Sequence, residues 1–366
     1  MINILSNSAI ISRNVFRNSS QSRSSSNLLL SWLGSAGNFF SQHGNNFTTT
    51  NTPSSSRKVG VMGASGRVGS ELIHIFKEKG INTIVVPRQI VSGTVPQKEK
   101  FCVENEIDLM INAGGKSDGK TNTMREANVL QPLEMAKVLH KIGKPIIHLS
   151  STATKISGLS EVTPYALTKQ EAEDALKYYA TIVSMDVLIG KSDKIDIGSL
   201  AGAGAHIKGQ RQWIQPTTYT AACKTIGNIA YEILEGNKVP HEIIVAGHPI
   251  ELGEFVRLIN KVSFELHMCP QTLLKLAELV QNGSLTPEFI HLANLSDKQP
   301  IIHETDTFEY FHDDPIPTHE ELAHEIKKTS FIEHLKLYAK IYKESPHKIG
   351  LVKNAISIIK NSAFKF

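Results

Sequence analysis

Residues 59–76, Val-Gly-Val-Met-Gly-Ala-Ser-Gly-Arg-Val-Gly-Ser-Glu-Leu-Ile-His-Ile-Phe, leave few choices of local structure. The short apolar run Val59 to Met62 is the pattern of a buried parallel strand. Gly63, Gly66 and Gly69 follow in the spacing GxxGxxG. Leu72, Ile73, Ile75 and Phe76 then give a helix its apolar side, and Gly80 suits its C-terminal cap. A strand that turns through glycine straight into a helix predicts the opening unit of an α/β sheet.

Each glycine has a physical task. Gly63 permits the tight turn out of the strand, Gly66 lets backbone approach a pyrophosphate, and Gly69 lets the helix pack closely on the strand. The helix N-terminus adds free N–H donors and a positive dipole end. With Ser65, Arg67 and Val68 between the glycines, the loop is expected to bind a dinucleotide. The next strand, Thr83 to Val86, runs into Pro87 and Arg88 with no Asp or Glu in reach. An acid there would accept from a ribose 2'-hydroxyl, whereas a base accommodates a 2'-phosphate. Arg88 therefore favours NADP(H) over NAD(H), unless it is a solvated loop residue.

Further landmarks follow in order. Ile107 to Gly115 reads as a buried strand ending in Asn112, Ala113 and Gly114, small residues that leave room for a ligand at a strand's carboxyl end. A helix is expected over 125–143, with Asn128 near its start. Ile146 to Leu149 form a strand with Ser150, Ser151 and Thr152 at its end. Tyr165 and Lys169 then stand four apart at the start of a helix, so phenol and ammonium share a face.

Glycine loop, Asn-Ala-Gly, helix Asn, strand-end Ser/Thr and Tyr-x-x-x-Lys, in that order across 58–176, resemble the extended branch of the short-chain dehydrogenase/reductase family, the NAD-dependent epimerases and dehydratases. The resemblance implies a Rossmann fold, a doubly wound parallel sheet with helices on both faces, plus a small C-terminal substrate lobe and helical tail. Residues 58–195 would be the NAD(P)-binding domain, 196–330 a substrate lobe interleaved with it, and 331–366 a helical extension. It also implies roles. Tyr165 would exchange a proton with a carbonyl or hydroxyl oxygen, Lys169 would tune Tyr165 and hold the nicotinamide ribose, and Asn128 would support the active-site backbone. Thr152, with Ser151 as the fallback, would position the substrate oxygen. An ordinary phenol, with a pKa near 10, is a poor acid or base at neutral pH, and a neighbouring ammonium favours its ionised form.

The resemblance is uneven. Ala153 and Thr154 stand where the dehydratases carry Asp-Glu, which disfavours elimination. The short region between the second strand and Asp108 is similar to the 4-keto-sugar reductases such as dTDP-4-dehydrorhamnose reductase. Ser184 to Gly190 lacks the Arg and Tyr of many sugar-nucleotide enzymes, so the substrate stays open: a small carbonyl compound or a sugar-like one. A non-catalytic NAD(P)-binding sensor or assembly factor is the alternative.

Residues 1–57 are rich in Ser and Asn, and the first acid in the chain is Glu71. Such a segment is expected to be disordered, either as an organelle transit peptide or as a tail with no address. The expected location is cytoplasmic or the mitochondrial matrix. The net charge of +4 is too small to argue for nucleic acid, and no apolar run reaches membrane-spanning length. A homodimer is an admissible assembly. Cys102, Cys223 and Cys269 are too scattered for a disulfide frame or zinc site. His319 and His324 are spaced five apart rather than four, so no metal is expected; Thr318 and Glu321 instead predict a capping box.

Overall fold

A computed structural model describes residues 57–117, 119–156, 160, 163–190, 205–207, 213–260, 264–266, 303–310 and 316–326. All but residue 57 of the expected leader, and the whole extension 331–366, lie outside the described residues.

Strand β1 (Lys58–Met62) feeds through the glycine turn into helix α1 (Arg67–Glu78). Gly80 adopts φ +68°, its N–H bonds Lys77 O at 3.1 Å, and Ile81 N bonds Phe76 O at 2.9 Å. This paired closure is a Schellman cap, and Ile81 and Phe76 share one apolar cluster beneath it. Strand β2 (Asn82–Val85), helix α2 (Val95–Glu104) and strand β3 (Leu109–Asn112) follow. Beyond them come helix α3 (Gln131–Lys141), strand β4 (Ile146–Ser151), helix α4 (Pro164–Leu176) and strand β5 (Thr181–Met185). Helix α5 (Tyr219–Leu234) and strand β6 (Glu242–Val245) complete the sheet.

The six strands are parallel in the order β6-β5-β4-β3-β1-β2. Their side chains alternate between two layers. Val59, Val61, Leu109, Ile111, Ile147, Leu149 and Val183 pack with Leu72, Ile75 and Phe76 of α1 and Ile226 and Ile229 of α5. Met62, Met110, Ile146 and Ile182 pack the other way, against Cys102, Met135, Leu139 and Leu176 from α2, α3 and α4. Burial on both faces is why these strands read as continuous apolar runs.

Several boundaries differ from expectation. The helical stretch expected over 125–143 starts at Thr121 and runs to Lys141, with a widened π-turn at Glu126–Leu130. Pro132 has no N–H to give the carbonyl of Asn128 four residues earlier, which accounts for the widening there. Strand β5 ends at Met185, and extended structure resumes only at Leu188–Ile189. In between, Asp186 N bonds Val245 O at 3.1 Å and Val187 O accepts from Thr217 N at 2.9 Å.

Strand β6 pairs with β5, so the sheet draws on residues about sixty positions apart. The outer edge of β6 is covered by the segment 303–310. There Asp306 N bonds Ile244 O at 2.9 Å, and Asp306 Oδ2 accepts from Ile244 N at 2.8 Å, satisfying backbone groups that an open edge would leave unpaired. Helix α6 (Leu252–Asn260) packs Phe255 and Val256 against Leu322 of α7 (His319–Glu325). Helix α7 opens with the expected capping box: Glu321 N bonds Thr318 Oγ1 and Thr318 N bonds Glu321 Oε2. Among the described residues, no helix is long and apolar enough to cross a membrane.

Ile111 is fully buried in the central strand between the two outer halves of the sheet. Ile111→Ala is expected to destabilise the fold by about 2–5 kcal/mol. In urea unfolding this should appear as a lower midpoint at unchanged slope.

Candidate functional site

The order of the strands reverses between β1 and β3, so the loops leaving their carboxyl ends diverge and open a crevice. Two backbones meet at its floor. Gly63 adopts φ +74°, and a Cβ built there would lie 2.5 Å from Gly114 N and Cα. A Cβ at Gly69 would lie 2.2 Å from Gly63 O, so the helix approaches the turn as closely as only glycine permits. Gly66 N bonds Gly63 O at 2.9 Å. Ser65, Gly66 and Arg67 are exposed at the start of α1, while Val68 is partly buried against the core. The Arg67 guanidinium sits 5.4 Å from the centre of the Tyr219 ring on α5. Arg88 is exposed just beyond β2.

Across the crevice, Asn112 Oδ1 accepts from Gly114 N at 3.2 Å and its Nδ2 meets His148 Nδ1 at 2.9 Å. Ala113 lies partly buried against the same core as β1. With Asn112 Nδ2 as donor, His148 Nδ1 accepts and the ring proton resides on Nε2. His148 is fully buried, and burial together with the Lys169 charge holds its pKa well below the ordinary 6.5. It is therefore neutral.

Asn128, placed by the π-turn, is fully buried and joins two segments of the site. Its Oδ1 accepts from Lys116 N at 2.7 Å, and its Nδ2 donates to Lys116 O and to Thr168 Oγ1, each at 2.9 Å. Thr168 in turn donates to Tyr165 O at 3.1 Å. The loop after β3 is thus fastened to the first turn of α4, the turn that carries Tyr165. That turn is itself capped by Thr163, whose Oγ1 accepts from Ala166 N at 3.3 Å.

Tyr165, Lys169 and Glu173 recur every fourth residue along one face of α4. Lys169 is only 6 % exposed, and its Nζ donates to Leu149 O at 2.8 Å. A Cβ at Gly115 would come within 3.6 Å of that Nζ and 3.0 Å of Asn128 Oδ1, so the Asn112–Gly115 loop abuts both side chains. Burial lowers the Lys169 pKa to about 8, with the Glu173 charge opposing the fall. Glu173 collects donors: Ser150 Oγ at 2.5 Å, Thr154 Oγ1 at 2.9 Å, Lys155 Nζ at 3.1 Å and Ser184 Oγ at 3.4 Å.

The three hydroxyls at the end of β4 therefore have different surroundings. Ser150 points down to Glu173. Ser151 caps the short turn Thr152–Lys155, its Oγ accepting from Ala153 N at 3.2 Å. Thr152 is 3 % exposed and follows directly on the last residue of β4, as Asp186 follows on the last residue of β5.

His148, Glu173 and Asp186 were not among the site residues expected from sequence. Glu173 was visible as the next step of the Tyr165–Lys169 stripe. His148 depends on its cross-strand pairing with Asn112, and Asp186 on the break in β5; neither is a local pattern.

Glu173→Gln should cost roughly 1–3 kcal/mol, because an amide replaces a carboxylate that several donors already face. It should also lower the Lys169 pKa below about 8. Urea unfolding and NMR titration of the lysine side chain measure the two effects, and an unmoved Lys169 midpoint would show that the Glu173 charge does not reach it.

Residues 59–192 match the NAD dependent epimerase/dehydratase family. CDP-abequose synthase of Salmonella typhimurium is 23% identical over 143 residues, which are 33% of this chain and 48% of that protein. The chain thus spans about half the length of this curated relative. Among solved structures, the dTDP-4-dehydrorhamnose reductase of Bacillus anthracis in complex with NADP aligns with a TM-score of 0.53 at 13% identity. That alignment covers 74% of this chain and 98% of the other. The Bordetella bronchiseptica enzyme WbmG in complex with NAD and UDP aligns with a TM-score of 0.52 at 11% identity, over 77% and 94% of the two chains. Both share the fold described above.

Proposed function

We propose that this chain, a member of the NAD dependent epimerase/dehydratase family over residues 59–192, is an NADP(H)-dependent oxidoreductase or epimerase. Its substrate would be a carbonyl or hydroxyl carbon of a nucleotide-linked sugar. The observation that carries the reading is the placement of Tyr165 and buried Lys169 on one face of α4, beside the Gly63–Gly114 crevice.

The residues present fit a dinucleotide. The turn Gly63–Gly69 offers exposed backbone at a helix N-terminus, where a side chain on Gly63 or Gly69 would collide with backbone. Arg88 would meet a 2'-phosphate, and Asn112 to Gly114 would line the crevice. Lys169 would hold ribose hydroxyls, with Asn128 keeping the adjoining loop in place. When bound, the nicotinamide supplies or accepts the hydride.

The protein's own part is the proton. Tyr165 gives a proton to a carbonyl oxygen, or takes one from a hydroxyl, while Lys169 supplies positive charge one turn away. Thr152 contacts the same oxygen; Ser151 is the weaker choice because its Oγ already caps the following turn. The nucleotide-sugar assignment is supported by the names of the relatives, and elimination is disfavoured by Ala153 and Thr154 after the hydroxyl. Against a purely sensing role stands the retention of both Tyr165 and Lys169.

The test is turnover of dTDP-4-dehydrorhamnose with NADPH and with NADH by the full chain and by Tyr165→Phe. The variant should bind NADPH as the parent does and lose about 10²–10⁴-fold in rate. Undiminished turnover would remove Tyr165 from the mechanism, and NADPH binding without turnover of a panel of nucleotide-sugar ketones would favour the sensor.

A second expectation concerns pH. Lys169 is protonated below about 8 and loses its charge above it. NADPH affinity, followed by nicotinamide fluorescence, should therefore weaken as pH rises through that value. Lys169→Ala should bind more weakly and lack this step.

A further inference from the structure

We propose that His148 is a positioning residue for the dinucleotide: by accepting at Nδ1 it fixes which way round the Asn112 amide lies, and that amide holds the Asn112–Gly115 loop in the shape that meets the glycine turn. The inference deepens the proposed function and rests on it for the identity of the cofactor.

The placement follows from strand register. Met62 pairs with Asn112 and Asn112 with His148, so the three stand in one row across β1, β3 and β4. Paired residues of parallel strands face the same layer, and Met62 packs in the one built by α2, α3 and α4. Asn112 and His148 are 1 % and 0 % exposed, so each polar side chain depends on the other for a partner. Asn112 Nδ2 meets His148 Nδ1 at 2.9 Å, and Asn112 Oδ1 accepts from Gly114 N at 3.2 Å. One residue before Gly114, Ala113 N bonds Met62 O at 3.1 Å. Gly114 then passes so near the glycine turn that a Cβ on Gly63 would lie 2.5 Å from Gly114 N.

A carboxamide has a donor end and an acceptor end. The Gly114 N–H can only donate, so it needs the Oδ1 end. That leaves Nδ2, a donor, facing His148, and the ring accepts at Nδ1 only while its proton is on Nε2. Turned round, the amide would set its NH2 against the Gly114 N–H, donor to donor, and the loop would lose its bond. His148 Nε2 is buried and has no hydrogen-bond partner among the described residues, so no described group at that end of the ring chooses the tautomer. The choice falls to Nδ1, and there to Asn112. Burial and the Lys169 charge keep a second proton off the ring.

The loop held in this way is the one a dinucleotide would meet. On one side it abuts the turn that suits the pyrophosphate. On the other it continues to Gly115, where an added Cβ would come within 3.6 Å of Lys169 Nζ. A shift at Gly114 is therefore felt along both sides of the crevice, and His148 need not touch the cofactor for its loss to weaken binding. Packing and hydrogen bonding by His148 predict opposite rankings of two variants. Phenylalanine keeps a ring of similar size and has no acceptor. Asparagine is smaller, but it carries an acceptor oxygen one bond beyond Cγ, as histidine carries Nδ1.

The experiment has two arms, both on the full-length protein. The first needs no ligand. ¹⁵N NMR of the imidazole should show His148 protonated at Nε2 alone in the parent, and with a proton on Nδ1 in Asn112→Asp, whose carboxylate can only accept. Hydrogen exchange at the Gly114 N–H should be roughly 5- to 100-fold faster in His148→Phe, the worth of a buried amide left without its acceptor, and should return toward the parent rate in His148→Asn. The second arm follows NADPH affinity by nicotinamide fluorescence. Affinity should fall by a similar factor in His148→Phe and recover in His148→Asn, and adding His148→Phe to Asn112→Ala should cost nothing further. A parent ring protonated at Nδ1, unchanged Gly114 exchange in His148→Phe, affinity that ranks Phe above Asn, or additive losses in the double variant would each overturn the proposal. Should the parent not bind NADPH while Gly114 exchange still follows the acceptor at position 148, the hold on the loop stands and the dinucleotide reading is the part that fails.

Discussion

The site depends on the approach of two backbones at the point where the sheet changes direction. With Gly114 N and Cα 2.5 Å from where a Gly63 Cβ would lie, the turn leaving β1 and the loop leaving β3 have no room for a side chain between them. The consequences reach in both directions. Toward α1, the turn sets the helix N-terminus over the crevice, and Gly69 lets the helix pack down on Gly63 O. Toward α4, the loop continues through Gly115 to Lys116, where Asn128 takes hold of it.

From Asn128 the support is polar and fully buried. A short relay, Lys116 backbone to Asn128 to Thr168 to Tyr165 backbone, ties the loop after β3 to the helix turn bearing the phenol. Each buried donor and acceptor in it is paired, which suits a part of the structure whose geometry has to persist. The π-turn belongs to the same arrangement. It sits four residues before Pro132, where an ordinary helical bond is missing, and it brings Asn128 to the junction between the two segments.

The first half of this structure was legible in the sequence because its instructions are local. A glycine turn needs glycine, α1 ends at Gly80 with positive φ, and the α7 capping box is spelled by Thr318 and Glu321. What could not be read was set by contacts distant in sequence. The addition of β6 to β5 brings together residues about sixty positions apart, and the break after Met185 is held by Val245 and Thr217. Pairing Asn112 with His148 turns an otherwise anonymous strand histidine into part of the site floor. Among the expected site residues, Thr152 and Ser151 could not be separated by sequence. In the structure, the Ser151 oxygen takes up the cap of the following turn, which sets the two hydroxyls apart.

The electrostatics around α4 can be argued one step further. A buried ammonium is costly unless its proton donors and its charge find partners. Lys169 has Leu149 O at 2.8 Å and the carboxylate of Glu173 one turn along, and Glu173 is held in place by Ser150, Thr154, Ser184 and Lys155. The same Lys169 charge opposes protonation of His148 beneath it. Near neutral pH the floor of the site thus holds a cationic Lys169 and a neutral His148. The positive charge is delivered from the stripe that Tyr165 shares, and a second cation beside it is suppressed by the first. The stripe that Tyr165 shares thus carries one ammonium, whose pKa is lowered by burial on one side and held up by Glu173 on the other.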